Sequence, residues 1–275
     1  SRSGYARVVD VAAHRLLPFA VRVDVAAADG GEHGALAISP DGAMLTIVDG
    51  TGGVQTWDID HQTRTGDIRP DLSGIATWVS LDPTGHLMAS LVLRPPDDSE
   101  SSIDVVDLRD GRSVAQLERI EDSYRDQPVF SPDGRLLAAG TMSGEILLWD
   151  TRTWKRLHRW RVSDGWTVSV AFTPDSRYVV SGGTDGKAAL WDVRDPTGSE
   201  FVIDATRSGA NYVYVGISAD GRELVTVPQF GTPLRWDIAS DSLARRACDL
   251  VRRSLTPDEW AAALPDRPYQ QTCPG

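Results

Sequence analysis

The sequence predicts an all-β fold, a β-propeller of about five to six blades that is incomplete at its N-terminus and followed by a short helical tail. Three observations carry this. A turn of one kind recurs along the chain, as Ser39-Pro40-Asp41-Gly42, Asp82-Pro83-Thr84-Gly85, Ser131-Pro132-Asp133-Gly134, Thr173-Pro174-Asp175 and Ser218-Ala219-Asp220-Gly221. A Trp-Asp pair follows at a fixed distance: Trp57, Trp149, Trp191 and Trp236 each stand 17 residues after the second residue of their turn. Between them lie short runs of alternating apolar residues with Asp-Gly or Gly-rich turns, as in Val179-Val180-Ser181-Gly182-Gly183, Thr184-Asp185-Gly186 and Ala189-Leu190-Trp191, which is strand-turn-strand chemistry. Turn-to-turn periods of 43, 49, 42 and 45 residues fit four-stranded blades of about 40–45 residues. One such unit cannot bury its faces alone, so the copies must pack on one another.

Residues 1–30 read as an incomplete blade. Ala6-Arg7-Val8-Val9-Asp10-Val11 matches the strand that ends in Trp-Asp, with Val9 in the Trp place, and Arg15–Val21 matches the outer strand after it. The two inner strands of this blade are missing, so the expectation is a piece of a longer protein. The alternative is a closure in which these strands complete the last blade. Residues 31–237 hold the full repeats. The first, about 33–72, has its hairpin turn at Gly50-Thr51-Gly52-Gly53, where no helix or Lys follows to make a phosphate-binding loop. The next, about 74–122, has Val106 in the Trp place at a spacing of 23. The extra residues form a loop, Leu93 to Ser102, in which Pro95, Pro96, Asp97, Asp98 and Glu100 make a solvated segment. It is the candidate interaction loop, or else a neutral insertion.

Repeats at about 126–162 and 166–204 are the most regular. Trp154, Trp160 and Trp166 are expected to cluster near an outer strand and the loop after it, as inter-blade packing or as a surface patch. The last repeat starts near 211. In the tail, 238–275, the period changes: Leu243, Ala247, Leu250 and Val251 lie on one helical face. Thr256-Pro257-Asp258-Glu259 supplies an N-cap, Pro at the first helical position and Glu at N3. These helices are expected to cover the edge of the last sheet.

Composition narrows the function classes. At 41% hydrophobic and 24% charged, the 275-residue chain is ordinary for a globular protein. No run of 18 apolar residues could span a membrane, and Ser1-Arg2-Ser3-Gly4-Tyr5 lacks the apolar core of a signal peptide. A net charge of −11 argues against nucleic acid as a partner. Lys155 and Lys187 are the only lysines and Asn211 the only Asn, a bias that points to a high-GC bacterial genome. His14, His33, His61, His86 and His158 share no spacing, and no metal or cofactor site is expected. Cys248 and Cys273 are a candidate disulfide, or two reduced thiols in the cytoplasm.

The recurring turns and Trp-Asp pairs resemble WD-repeat β-propellers over residues 6–237. The resemblance implies a hydrogen-bonded set of Trp, Ser or Thr, turn Asp and His in each blade. Ser181, Asp185 and Trp191 fill three of those places in one repeat, with Ser163 or Asp164 where the His would be. Elsewhere the set is degraded: Ile47 and Thr51 in the first full repeat, and Ala139 and Ser143 beside Trp149. The tail, with Ala247-Cys248, Arg253-Ser254-Leu255-Thr256, Glu259-Trp260 and Thr272-Cys273-Pro274, resembles the segment that closes propellers in large bacterial signalling proteins. That implies a sensor or scaffold region below a signal-transduction NTPase or Ser/Thr kinase module. It also implies a cytoplasmic location, or exposure outside the membrane if a helix precedes the propeller. The expected function is a non-catalytic protein-interaction propeller. The alternatives are a propeller enzyme, lactonase-like or quinone-dependent, and a small-ligand sensor in the central channel.

Overall fold

The computed structural model describes residues 3–10, 13–24, 35–39, 41–49, 52–72, 74–93, 101–120, 127–195, 200–205 and 212–239, with 254, 256–263, 269 and 273 of the tail. Its strands form six antiparallel sheets, each joining strands in chain order. β1 (Ser3–Asp10) and β2 (Arg15–Asp24) pair alone. Four strands make each of the next four sheets. The first holds β3 (Ala35–Ile38), β4 (Met44–Val48), β5 (Val54–Asp58) and β6 (Thr63–Ile68). The second holds β7 (Ile75–Leu81), β8 (Leu87–Leu93), β9 (Ser101–Asp107) and β10 (Ser113–Ile120). The third holds β11 (Val129–Phe130), β12 (Leu136–Gly140), β13 (Glu145–Asp150) and β14 (Lys155–Arg161). The fourth holds β15 (Thr167–Phe172), β16 (Tyr178–Gly183), β17 (Lys187–Asp192) and β18 (Glu200–Asp204). β19 (Val213–Ile217), β20 (Glu223–Pro228) and β21 (Leu234–Asp237) form the last. The first strands of successive sheets, β3, β7, β11, β15 and β19, stand beside one another. This is an all-β fold, a propeller-like array of antiparallel sheets.

The register shows that the repeats are structurally equivalent. Trp57, Trp149, Trp191 and Trp236 pair with Leu45, Leu137, Val179 and Leu224, and Val106 pairs with Met88. Each partner lies five residues after the second turn residue. The turns share one chemistry. Ser39 Oγ donates to Asp41 Oδ1 at 2.5 Å and accepts from Met44 N at 2.9 Å, while Asp41 Oδ1 accepts from Ala43 N. Ser131 with Asp133, Thr173 with Asp175 and Ser218 with Asp220 repeat it. In the second full blade the roles are exchanged: Thr84 Oγ1 donates to Asp82 Oδ2 at 2.6 Å, and Asp82 Oδ1 accepts from Leu87 N. The turn needs one hydroxyl and one carboxylate two residues apart, in either order.

The core is a series of layers between sheets. Ala6, Phe19 and Val21 pack on Leu45 and Ile47; Ala37 and Val48 on Val79 and Met88; Leu91 and Val105 on Leu137 and Trp149. Ile146 and Leu148 pack on Val179 and Trp191, and Val180 and Ile203 on Val213 and Leu224. Neighbours in sequence go to opposite layers, Leu147 to one and Leu148 to the next. A strand covered on both faces needs no polar alternation, so β12 and β13 read as unbroken apolar runs. Gly182 lets the blades approach: a Cβ there would lie 2.0 Å from Val213 O of β19.

One sequence expectation needs correction. The loop was expected to run to Ser102, but Leu93 ends β8, and Ser101 and Ser102 are buried members of β9. Both pair with β8, Ser101 to Leu93 and Ser102 to Val92. Pro95, Pro96, Asp97, Asp98 and Glu100 lie outside the described residues, as do Leu243–Val251 of the expected first tail helix. The second tail helix is present as α1 (Pro257–Ala263). Glu259 N donates to Thr256 Oγ1 at 3.2 Å, and Thr256 N donates to Glu259 Oε2 at 2.9 Å, a reciprocal cap.

Candidate functional site

The up-and-down strand order puts the first-to-second and third-to-fourth hairpins on one face of the molecule. The second-to-third hairpins and the links between blades share the other. On this second face, where the first strands meet, opens a cavity of about 510 Å³. Trp78 of β7, Gln127 just before β11, Ser169 of β15 and Tyr214 of β19 line it, joined by Trp166 and Tyr212 from the links.

The first four occupy one repeated place. Each stands five residues before the second residue of its turn, and Ala35 holds that place in the first full blade. Bulges precede two of them: the register shifts between Ala76 and Trp78 and between Thr167 and Ser169. A bulge at a sheet rim re-aims the side chain beside it. The polar members of the ring tie blades together. Gln127 Nε2 donates to Val79 O of the preceding blade, and Ser169 Oγ accepts from Val215 N of the following one at 3.1 Å. The aromatic members remain open, with Trp78 52% and Tyr214 48% exposed. Trp166 meets Tyr212 edge-on, centroids 6.3 Å apart, and Gln229 N fixes Tyr212 O at 2.8 Å. Phe230, 70% exposed, stands on the same face in the β20–β21 hairpin.

Turn aspartates are occupied by their own backbone. Hydrogen bonds from Ser39 and Ala43 hold the Asp41 carboxyl below the usual range, and those from Ser218 and Arg222 do the same for Asp220. At Asp133 and Asp175 burial is the largest single influence and pushes the carboxyl up, and the hydrogen bonds from Ser131, Arg135 N and Ser176, or from Thr173 and Arg177 N, with the charge of the neighbouring Arg, together bring it below the usual range. Arg109 holds Asp107 at about 2. His61 is raised by its hydrogen bond to Asp58. Among the described residues no group of three or more His, Cys, Asp or Glu could hold a metal ion, and no helix is long and apolar enough to cross a membrane.

The hydrogen-bonded set implied for Ser181, Asp185 and Trp191 is not made as expected. Trp191 Nε1 is buried with no hydrogen-bond partner among the described residues, as is Trp160 Nε1. The two rings stack instead, centroids 5.8 Å apart, and His158 also stacks with Trp160 at 4.8 Å. Asp185 Oδ1 accepts from Lys187 N. The Trp-to-hydroxyl bond occurs in the last blade, where Trp236 Nε1 donates to Thr226 Oγ1 at 3.0 Å. Thr226 was missed in the sequence, although it stands seven residues after its turn's second residue, the place of Ser181. Trp57 Nε1 reaches Gln55 in its own strand at 3.4 Å, and Trp149 is buried in the layer before its blade.

The expected Trp cluster is three separate contacts: Trp154 against one core layer, Trp160 between blades and Trp166 at the cavity. In the tail, Cys273 is disulfide-bonded, and Cys248 lies outside the described residues. Ser254 Oγ donates to Cys273 O and accepts from Cys273 N, both at 3.1 Å, while Trp260 meets Tyr269 edge-on.

The family model for WD domain, G-beta repeat matches residues 126–150 and 154–192. These segments are similar to WD repeats. They coincide with the third and fourth four-stranded sheets, and the remaining blades share their register and turn chemistry. WD repeats in general mediate protein interaction and scaffolding. No curated protein matches the chain.

Proposed function

We propose that this WD-repeat propeller is a non-catalytic protein-interaction module whose working surface is the face carrying the cavity mouth. One observation carries the reading: a single repeated place becomes aromatic and half-exposed on two blades, as Trp78 and Tyr214. Half-exposed Trp and Tyr in a concave site are the usual anchors of a protein interface. The turn carboxylates, by contrast, are consumed by architecture. The Pro95–Glu100 segment, with two prolines and three acidic residues, is proposed as a second contact. The tail's resemblance supports placing the chain at the sensor or scaffold end of a larger bacterial signalling protein. Cys248, the only other cysteine, is the proposed partner of Cys273. A disulfide favours an oxidising compartment over the cytoplasm. A cavity of about 510 Å³ supports a second reading, a small-ligand sensor in the channel.

The test is site-specific photo-crosslinking in the native host, with the probe at Trp78, at Tyr214, or at Arg135 on the opposite face. Protein adducts from the first two positions and none from Arg135 are expected. Equal adducts from both faces, or none from either, would overturn the reading.

A further inference from the structure

We infer that the array accepts an apolar β-hairpin, which pairs with the free edge of β1 and seats on Leu36 and Ile38 of β3. The β1–β2 pair is the outer half of a blade. Its turn is built like those that join third to fourth strands elsewhere. Asp10 Oδ1 accepts from Ala13 N at 2.9 Å, as Asp58 does from His61 N at 2.8 Å and Asp150 from Thr153 N at 2.7 Å. The next residue in each turn, His14, Gln62 and Trp154, takes a positive φ. Asp10 then pairs with Arg15, as Asp58 does with Thr63 and Asp150 with Lys155. β5, β9, β13 and β17 hold the place of β1 in the four-stranded sheets, and each has a strand on both sides. β1 has β2 on one side and, among the described residues, no strand on the other. An unpaired edge of this kind is a template for strand addition.

The neighbouring face of β3 is bare. Leu36 and Ile38 stand four and two residues before the second residue of their turn. In later blades Val79 and Leu81, Phe130, and Val170 and Phe172 fill these places. All five are at most 7% exposed and pack on the preceding blade. Leu36 is 51% exposed and Ile38 50%. Further out on the same blade, Leu45 and Ile47 are covered by Ala6, Phe19 and Val21 of the β1–β2 pair. The layer is therefore closed over its outer half and open over its inner half. The width of the opening is set by the next layer, where Val79 meets Ala37 of a first strand and Val48 of a second. Two strands are needed, not one. Each sheet joins its strands in chain order, so the hairpin is carried on the same polypeptide, directly ahead of β1.

The experiment supplies hairpins from this chain's own blades. Val9 is equivalent to Trp191 and Trp149, so residues 166–186 and residues 127–144 each run in register into Tyr5. The first graft holds β15, β16 and the turn after them, the second β11, β12 and the turn after them. Each, placed directly ahead of Tyr5, should raise the melting temperature by about 5–10 °C, as a few added contacts do in a chain of this size. Each should also slow amide exchange along β1. Leu36→Asp combined with Ile38→Asp should leave the ungrafted chain close to its parent, because both side chains are half-exposed. The same pair of substitutions should abolish the gain from either graft. No gain from both grafts, or an equal gain in the doubly substituted chain, overturns the inference. Sedimentation of the ungrafted chain reads the competing occupant. A dimer that the double substitution breaks and the grafts fail to displace would give the slot to a second copy, and would overturn the hairpin.

Discussion

The blades β11–β14 and β15–β18 differ from the sheets at either end of the array in one physical respect. Each is covered on both faces. Leu147 faces the layer before its blade and Leu148 the layer after, and Val179 and Val180 divide in the same way. In β1–β2, by contrast, Ala6, Phe19 and Val21 are buried while Tyr5, Val9 and Leu16 are exposed. In β19–β21, Leu224 is buried while Tyr214 and Val227 are largely exposed. Two-sided burial makes apolar packing sufficient to fix a blade. That explains how Trp191 tolerates an unpartnered Nε1 while ring stacking and layer contacts hold it. At the one-sided end the blade keeps a specific polar bond, Trp236 to Thr226. The family match falls on two of the blades that are covered on both faces.

The largest expected consequence is a difference between equivalent tryptophans. Trp149 is 2% exposed and sits inside a full layer. Trp149→Ala should cost about 3–5 kcal/mol, the usual range for truncating a buried Trp. Trp236 is only partly buried against its cluster, and Trp236→Ala should cost about half as much. Urea denaturation of both variants checks this, and equal losses would show that the two ends of the array are packed alike.

A second place sharpens the contrast. Gly182 lies eight residues after the second turn residue, and Val227 holds the same place in the last blade. At Gly182 an added methyl group meets the backbone of β19, whereas Val227 is 40% exposed. Gly182→Ala must push its blade away from the next one and should cost about 1–3 kcal/mol, as overpacking does. Val227→Ala should fall within about 0.5 kcal/mol of the parent, as surface changes do. A stable Gly182→Ala protein with an unchanged denaturation midpoint would mean that the blades are free to move apart.

Much of this was legible in the sequence, for a simple reason. The turn and the Trp place are local patterns repeated at fixed spacing, and the chain needs them in every blade to pair strands in register. Val106 was read in the Trp place despite its longer connection, and its pairing with Met88 is the equivalent one; the capping residues of α1 were read correctly from four letters. The cavity ring was not read, although its members also share a spacing. Trp78, Gln127, Ser169 and Tyr214 are chemically unlike one another, so only superposition of the repeats reveals one place. Trp191's lost hydrogen bond was illegible for a different reason. Its partner residues are present at the right positions, and the ring is instead stacked with Trp160 of the neighbouring blade, a contact between blades that local spacing does not reveal.

The unmade bond supplies the finest test. If the hydroxyl place matters only where a blade is covered on one side, removing the hydroxyl should have unequal effects. Thr226→Val keeps the buried shape and leaves the Trp236 Nε1 donor unpaired, which should cost about 1–2 kcal/mol. Ser181→Ala removes a hydroxyl that does not satisfy Trp191 Nε1, so its effect should stay near about 0.5 kcal/mol or less. The two variants differ from the parent by a few atoms each, and their denaturation midpoints can be compared directly. A larger loss from Ser181→Ala than from Thr226→Val would mean that Ser181 and Trp191 are bonded in solution. The middle blades would then depend on the same polar set as the end, and two-sided burial would not be what lets them dispense with it.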